Sequence, residues 1–226
     1  MLELKKMVLE ANLELVRQGL VIYTWGNASG IDRSRSLVAI KPSGVSYDSM
    51  TEDDIVVLDL DGNVVEGHLK PSSDTPTHLA LYKAFPELGG IVHTHSTYAT
   101  AWAQAGLDIP CLGTTHADAF RGPVPCTGAL SEEQIEGDYE KETGELIISR
   151  FAGLNPVHTP GALVRNHGPF SWGATPAEAV YNAKVLEEIA KIAYMTLQIN
   201  PSASCGQSLQ DKHFFRKHGP GATYGQ

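Results

Sequence analysis

A single α/β domain built around a mixed sheet is the fold class that the chain predicts, and three observations carry that prediction. Its 226 residues suffice for one substantial core, and 42% apolar with 19% charged residues is the balance of an ordinary globular protein. Segments of helical and of alternating periodicity succeed one another, so helices and strands interleave along the chain. Neither an internal repeat nor a linker interrupts it, and residues 1–226 are read as one domain.

The elements follow in order. Leu4, Val8, Ala11 and Leu15 recur at helical spacing, and Gly19 stands where a C-terminal cap belongs. "YTWGNASG" and "LVAIKPSG" read as short extended runs, each closing on a glycine-containing turn. "DIVVLDLDGNVVEG" predicts a hairpin turning at Asp61-Gly62. In "SSDTPTHLALYKAF", Thr75 is expected to cap a helix and Pro76 to take its first position. "GGIVHTHS" returns to strand, and Ser131 to Gln134, "SEEQ", resembles a capping box opening an acidic helix. "GALVRNHGPFSWG" reads as strand, Gly-Pro turn and strand. Thr175 to Glu178 forms a second capping box, and Ala179, Leu186, Ile189, Ala190, Ala193 and Leu197 carry an apolar face on to Asn200-Pro201. From Ser202 onward the chain reads as a polar, glycine-rich tail.

Charge and cysteine usage narrow the function classes. A net charge of −9 argues against a nucleic-acid or anionic-membrane partner. No run of about 18 apolar residues predicts a membrane span, and the opening "MLELKKMVLE" has no signal-peptide core. Cys111, Cys126 and Cys205 are odd in number and widely spaced, which suits reduced thiols and a cytoplasmic location better than a disulfide framework.

The chemistry concentrates on histidines. On a strand, His93 and His95 share one face at about 6.6 Å along the chain, close enough for two imidazoles to converge on one ion. Two polar residues alternating at a strand end is the plainer alternative. His167, at the end of the apolar run "ALVRNHGPF", completes three neutral nitrogens with positions left open for substrate. Asp74 fits either a carboxylate beside that site or a helix cap. Asp118, in "GTTHADAF", fits either an acid/base group or a turn former, and Tyr224 lies in the terminal "TYGQ". Three stretches, "WGNASG", "KPSG" and "PSSD", offer backbone and hydroxyl donors suited to an anion, with Lys41 adding charge.

"TWGNASG", "IKPSGV", "KPSSDTPTH", "GGIVHTHS", "GTTHAD", "NHGPF" and the ending "YGQ" occur in one order across the whole chain. This ordered set closely resembles the aldolase/epimerase family of the class II aldolase superfamily, and within it the L-ribulose-5-phosphate 4-epimerases. The resemblance implies a three-layer α/β/α fold with a central, mostly antiparallel sheet. It implies zinc held at His93, His95 and His167 with Asp74 beside it, although three imidazoles also accept Mn²⁺ or Co²⁺. It implies a phosphate pocket at Gly26, Asn27, Ser43, Gly44, Ser72 and Ser73. Asp118 and Tyr224 are implied as the acid/base pair, reaching the metal from a neighbouring subunit of a homotetramer. The implied reaction inverts C4 of a phosphorylated pentulose by opening and resealing the C3–C4 bond. The alternative is an aldolase of the fuculose or rhamnulose type. Related aldolases carry a glutamate in place of Asp74, and the shorter aspartate favours the epimerase.

Overall fold

The computed structural model describes residues 2–219 together with 221 and 222. Strands β1 (Asn27–Asp32), β2 (Leu37–Ile40), β3 (Val56–Asp59), β4 (Val64–Glu66), β5 (Gly90–His93), β6 (Gly161–Val164) and β7 (Gly168–Gly173) form one sheet in the order β4-β3-β2-β1-β5-β7-β6. Every ladder between neighbours is antiparallel. Parallel pairing among the described residues is confined to an isolated bridge, Cys126 to Leu163. Around the sheet lie α1 (Leu2–Arg17), α2 (Thr75–Ala84), α3 (Thr97–Ala105), α4 (Thr114–Ala117), α5 (Glu132–Glu136), α6 (Tyr139–Arg150), α7 (Pro176–Ile199) and α8 (Gln207–His218).

Two-residue alternation in the central strands creates the layers. Ile31, Ile91, Phe170 and Trp172 point to one face and meet Leu79, Leu81 and Tyr82 of α2 and Ile147 of α6. Ala28 and Val92 point to the other, where Ala11 and Leu15 of α1 and Ala179, Val180 and Ala183 of α7 cover them. The result is α/β/α layering, as the resemblance implies. Burying a side chain such as Ile91 or Phe170 completely contributes about 1.5–3 kcal/mol. His93 shares the face of Ile91 and stacks on Phe170 at 4.2 Å between ring centroids. Polar chemistry therefore begins where the α2/α6 core ends.

The expected hairpin is present as β3 and β4, and Ser131 and Thr175 cap α5 and α7 as expected. Elsewhere the structure corrects the local reading. Asp74, not Thr75, occupies the cap position of α2, and the Thr75 hydroxyl donates to the Ser72 carbonyl at 2.6 Å. The Gly168-Pro169 pair begins β7 rather than forming a turn; the chain reverses at residues 165–167, with Asn166 at φ 62°. The strand carrying the histidine pair ends at His93, so His95 lies in the extended connection to α3. The tail folds back as α8, whose one buried side chain is Phe214. A helix held by charge contacts more than by an apolar stripe has little periodicity to betray it. None of the described helices is long and apolar enough to cross a membrane.

Candidate active site

Antiparallel pairing of β5 with β1 and β7 sets the site. Asn27 lies opposite His93 on one side and Phe170 on the other. The turn before β7 delivers His167, so three imidazoles converge from two separated segments. One nitrogen of each of His93, His95 and His167 lies within 4.8 Å of the others, and the Nε2 atoms of His93 and His95 are 3.0 Å apart. Two nitrogens at about 2.05 Å from a tetrahedral ion are about 3.3 Å apart, so small adjustments admit a metal. Burial lowers the pKa of all three rings, which keeps them in the neutral, ligating form at pH 7. The Nδ1–H of His93 donates to the Pro169 carbonyl at 3.0 Å, leaving Nε2 turned to its neighbours. The chain beyond His95 is fixed differently: the Glu187 carboxylate of α7 accepts from the backbone N–H groups of Tyr98 and Ala99, both at 2.9 Å, satisfying the first turn of α3. The donor set fits a divalent transition metal.

Asp74 lines the same cavity but stands outside the close group of three. Its side chain makes no cap bond; its Oδ2 accepts from Asn27 Nδ2 at 2.7 Å. Burial pushes its pKa up, but the nearby His93, His78 and His167 and the Asn27 bond outweigh this, so the net shift is downward. Asn27 also donates to Ser72 Oγ at 3.1 Å, tying β1 to the loop before α2.

All six residues of the implied phosphate pocket line this cavity of about 530 Å³. The loops at 43–44 and 72–73 are stitched together, since Ser43 N–H donates to Lys70 and Ser72 N–H to Lys41. Gly26 turns at φ 80°, and a Cβ there would lie 2.9 Å from the His93 carbonyl oxygen. Lys41 is buried beneath the cavity, with its ammonium 4.8 Å from the Tyr47 ring, and desolvation lowers its pKa to about 8. The N-terminal ends of α2 and α6 both border the cavity, through Asp74 and through Tyr139 with Glu140, and favour bound negative charge. Tyr139 and Glu140 carry no signal in the local sequence that marks them as site residues, and only packing of α6 on α2 brings them here; the exposed Trp25, inside the "WGNASG" stretch, also lines the cavity.

Asp118 is not brought to the histidines. It ends α4 and opens on another cavity, of about 500 Å³. Its carboxylate accepts from His213 Nδ1 and Arg216 at 3.0 Å each, with Lys217 at 3.6 Å. Burial alone pushes the pKa up; these partners bring it below the usual range, so Asp118 is ionised at neutral pH. Tyr224 lies outside the described residues.

Comparison with known proteins agrees with this geometry. The chain is 59% identical over 227 residues to L-ribulose-5-phosphate 4-epimerase UlaF of Salmonella paratyphi C (strain RKS4594), with all of both chains covered. A solved L-fuculose 1-phosphate aldolase superposes with a TM-score of 0.79 at 26% identity, covering 93% of this chain and 94% of its own. The L-fuculose 1-phosphate aldolase from Glaciozyma antarctica PI12 shares the fold at a TM-score of 0.78 and 20% identity, over 94% of this chain and 80% of its own. A family model, Class II Aldolase and Adducin N-terminal domain, matches residues 6–194, which take in the three histidines, the glycine- and serine-bearing loops and every strand of the sheet. The chain belongs to the class II aldolase family.

Proposed function

We propose that the chain, acting as one domain over residues 1–226, is a metal-dependent epimerase interconverting L-ribulose 5-phosphate and D-xylulose 5-phosphate at C4. The observation that carries the reading is three neutral imidazoles converging in one cavity with the serine- and glycine-bearing loops, in a chain 59% identical throughout to an epimerase of that name. C4 of the pentulose is not adjacent to the carbonyl, so its hydrogen is not acidic and simple deprotonation cannot invert it. Opening and resealing the C3–C4 bond can.

His93, His95 and His167 would hold the ion, zinc in this reading, with Asp74 beside it. When bound, the ion supplies a Lewis acid that stabilises negative charge on the substrate's carbonyl oxygen. Gly26, Asn27, Ser43, Gly44, Ser72 and Ser73, with Lys41 behind them, grip the phosphate and retain the two-carbon aldehyde while it turns. The hydrogen bond from Asn27 keeps the Asp74 carboxylate from ranging over the fragment, which favours re-addition over release. Asp118 and Tyr224 exchange the C4 hydroxyl proton. Within one chain Asp118 faces a separate cavity, so the reading has a neighbouring copy of a homotetramer supply the pair.

Incubation with L-ribulose 5-phosphate should yield D-xylulose 5-phosphate, and EDTA should stop it. Activity undiminished by full metal removal would overturn the reading, as would release of dihydroxyacetone phosphate from a deoxyhexulose 1-phosphate as the main activity.

Lys41 makes a further prediction. In the free protein its charge is present below about pH 8 and is lost as pH rises through that value. The kcat/KM for the phosphorylated substrate should therefore fall above pH 8, because a charge-assisted contact to the phosphate disappears. Lys41→Met should lower kcat/KM by about 10- to 100-fold at pH 7 and remove that limb of the profile. An unchanged alkaline limb in Lys41→Met would show that another group titrates.

A further inference from the structure

The hydroxyl of Tyr139 lies 3.2 Å from Nδ1 of His167, one of the three histidines of the close group. Tyr139 is the first residue of α6, and α6 is held to α2 where the Thr77 hydroxyl donates to the Glu140 carbonyl. The hydroxyl is therefore placed by the helix pair behind the site, not by a flexible loop. His93 has an equivalent contact, from Nδ1 to the Pro169 carbonyl, which can only accept and so fixes the ring's tautomer. His167 projects from a three-residue turn, and there the Tyr139 hydroxyl takes the place that the Pro169 carbonyl has beside His93.

We propose that Tyr139 is a positioning residue whose hydroxyl oxygen accepts from the Nδ1–H of His167 and holds that ring with Nε2 toward the metal. The inference rests on the metal-site reading above. A ligating imidazole offers its lone pair at one nitrogen and carries its proton on the other, and the acceptor of that proton sets the ring's orientation and basicity. The tyrosine also partly fills the wall of the cavity beside Asp74, so its ring serves packing while its hydroxyl serves His167.

Tyr139→Phe removes the hydroxyl alone. Zn²⁺ affinity, measured by competition with a chromophoric chelator, should fall about 10- to 100-fold. The visible absorption band of the Co²⁺-loaded protein should shift, a signature that a purely structural role would not produce. The melting temperature of the metal-free variant should match that of the metal-free parent. Equal Zn²⁺ affinity and an identical Co²⁺ spectrum would overturn the proposal while leaving the metal site standing. Failure of the unsubstituted protein to bind Zn²⁺ would instead remove the metal-site reading itself. A Tyr139→Phe protein that does not fold would also count against the proposal, because the hydroxyl would then serve the fold.

Discussion

His95→Asn is expected to lower kcat/KM on L-ribulose 5-phosphate by about three orders of magnitude, since metal stabilisation of developing charge is worth several kcal/mol and each 1.4 kcal/mol is tenfold. His95 is the informative position among the three. His93 is 2% exposed, stacked on Phe170 and bonded to Pro169, so removing it also opens the core. His95 is exposed and lies beyond the end of β5, and α3 after it is capped by Glu187 rather than by His95. Loss of its imidazole therefore removes a metal donor with little cost to folding. Metal content and thermal melting should be measured alongside activity: the expected variant melts like the metal-free parent and retains little zinc. A His95→Asn protein that keeps full metal and a tenth or more of the activity would contradict the three-histidine site.

Gly90→Ala is expected to destabilise the protein by about 3 kcal/mol or more, at the upper end for overpacking a filled core. A Cβ at position 90 would lie 2.4 Å from both N and Cα of Pro176 and 2.6 Å from the Thr175 carbonyl carbon. These are backbone atoms at the capped start of α7, which cannot rotate aside as a flexible side chain would. At about 2–4 °C per kcal/mol for a chain of this size, the melting temperature should drop by about 10 °C. Three residues on, the same strand ends in His93, so a shifted β5 should weaken metal binding as well. Gly113→Ala is the control, because nothing lies within 4 Å of a Cβ there. Equal melting of Gly90→Ala and the parent would show that β5 and α7 are not in such close contact.

The sheet was legible where one face is apolar and the period is two. The arms around Asp61-Gly62 and the Thr175 cap are local patterns, and local patterns survive into the structure. Helices α6 and α8 were not legible. The chain "YEKETGELIISR" mixes charges and a glycine into its apolar spacing, and α8 buries Phe214 alone while its basic residues gather on Asp118. The reversal at residues 165–167 was missed because Gly168-Pro169 looks like a turn, and only strand pairing reveals it as the start of β7.

By itself the sequence determined which residue types are available and in what order: an H-x-H pair after two glycines, a third histidine after an apolar run, three turn-forming stretches rich in donors, and carboxylates at Asp74 and Asp118. Tertiary structure alone decided who meets whom. The β1-β5-β7 ladders bring His167 to His93, 74 positions earlier in the chain, α6 packing on α2 delivers Tyr139, and the Asp118 carboxylate is engaged by His213 and Arg216 of α8 rather than by the three clustered histidines. The reason is physical. Covalent spacing limits local backbone geometry to a few residues, whereas ligand convergence depends on burial of distant apolar faces against one sheet, a property of the whole chain.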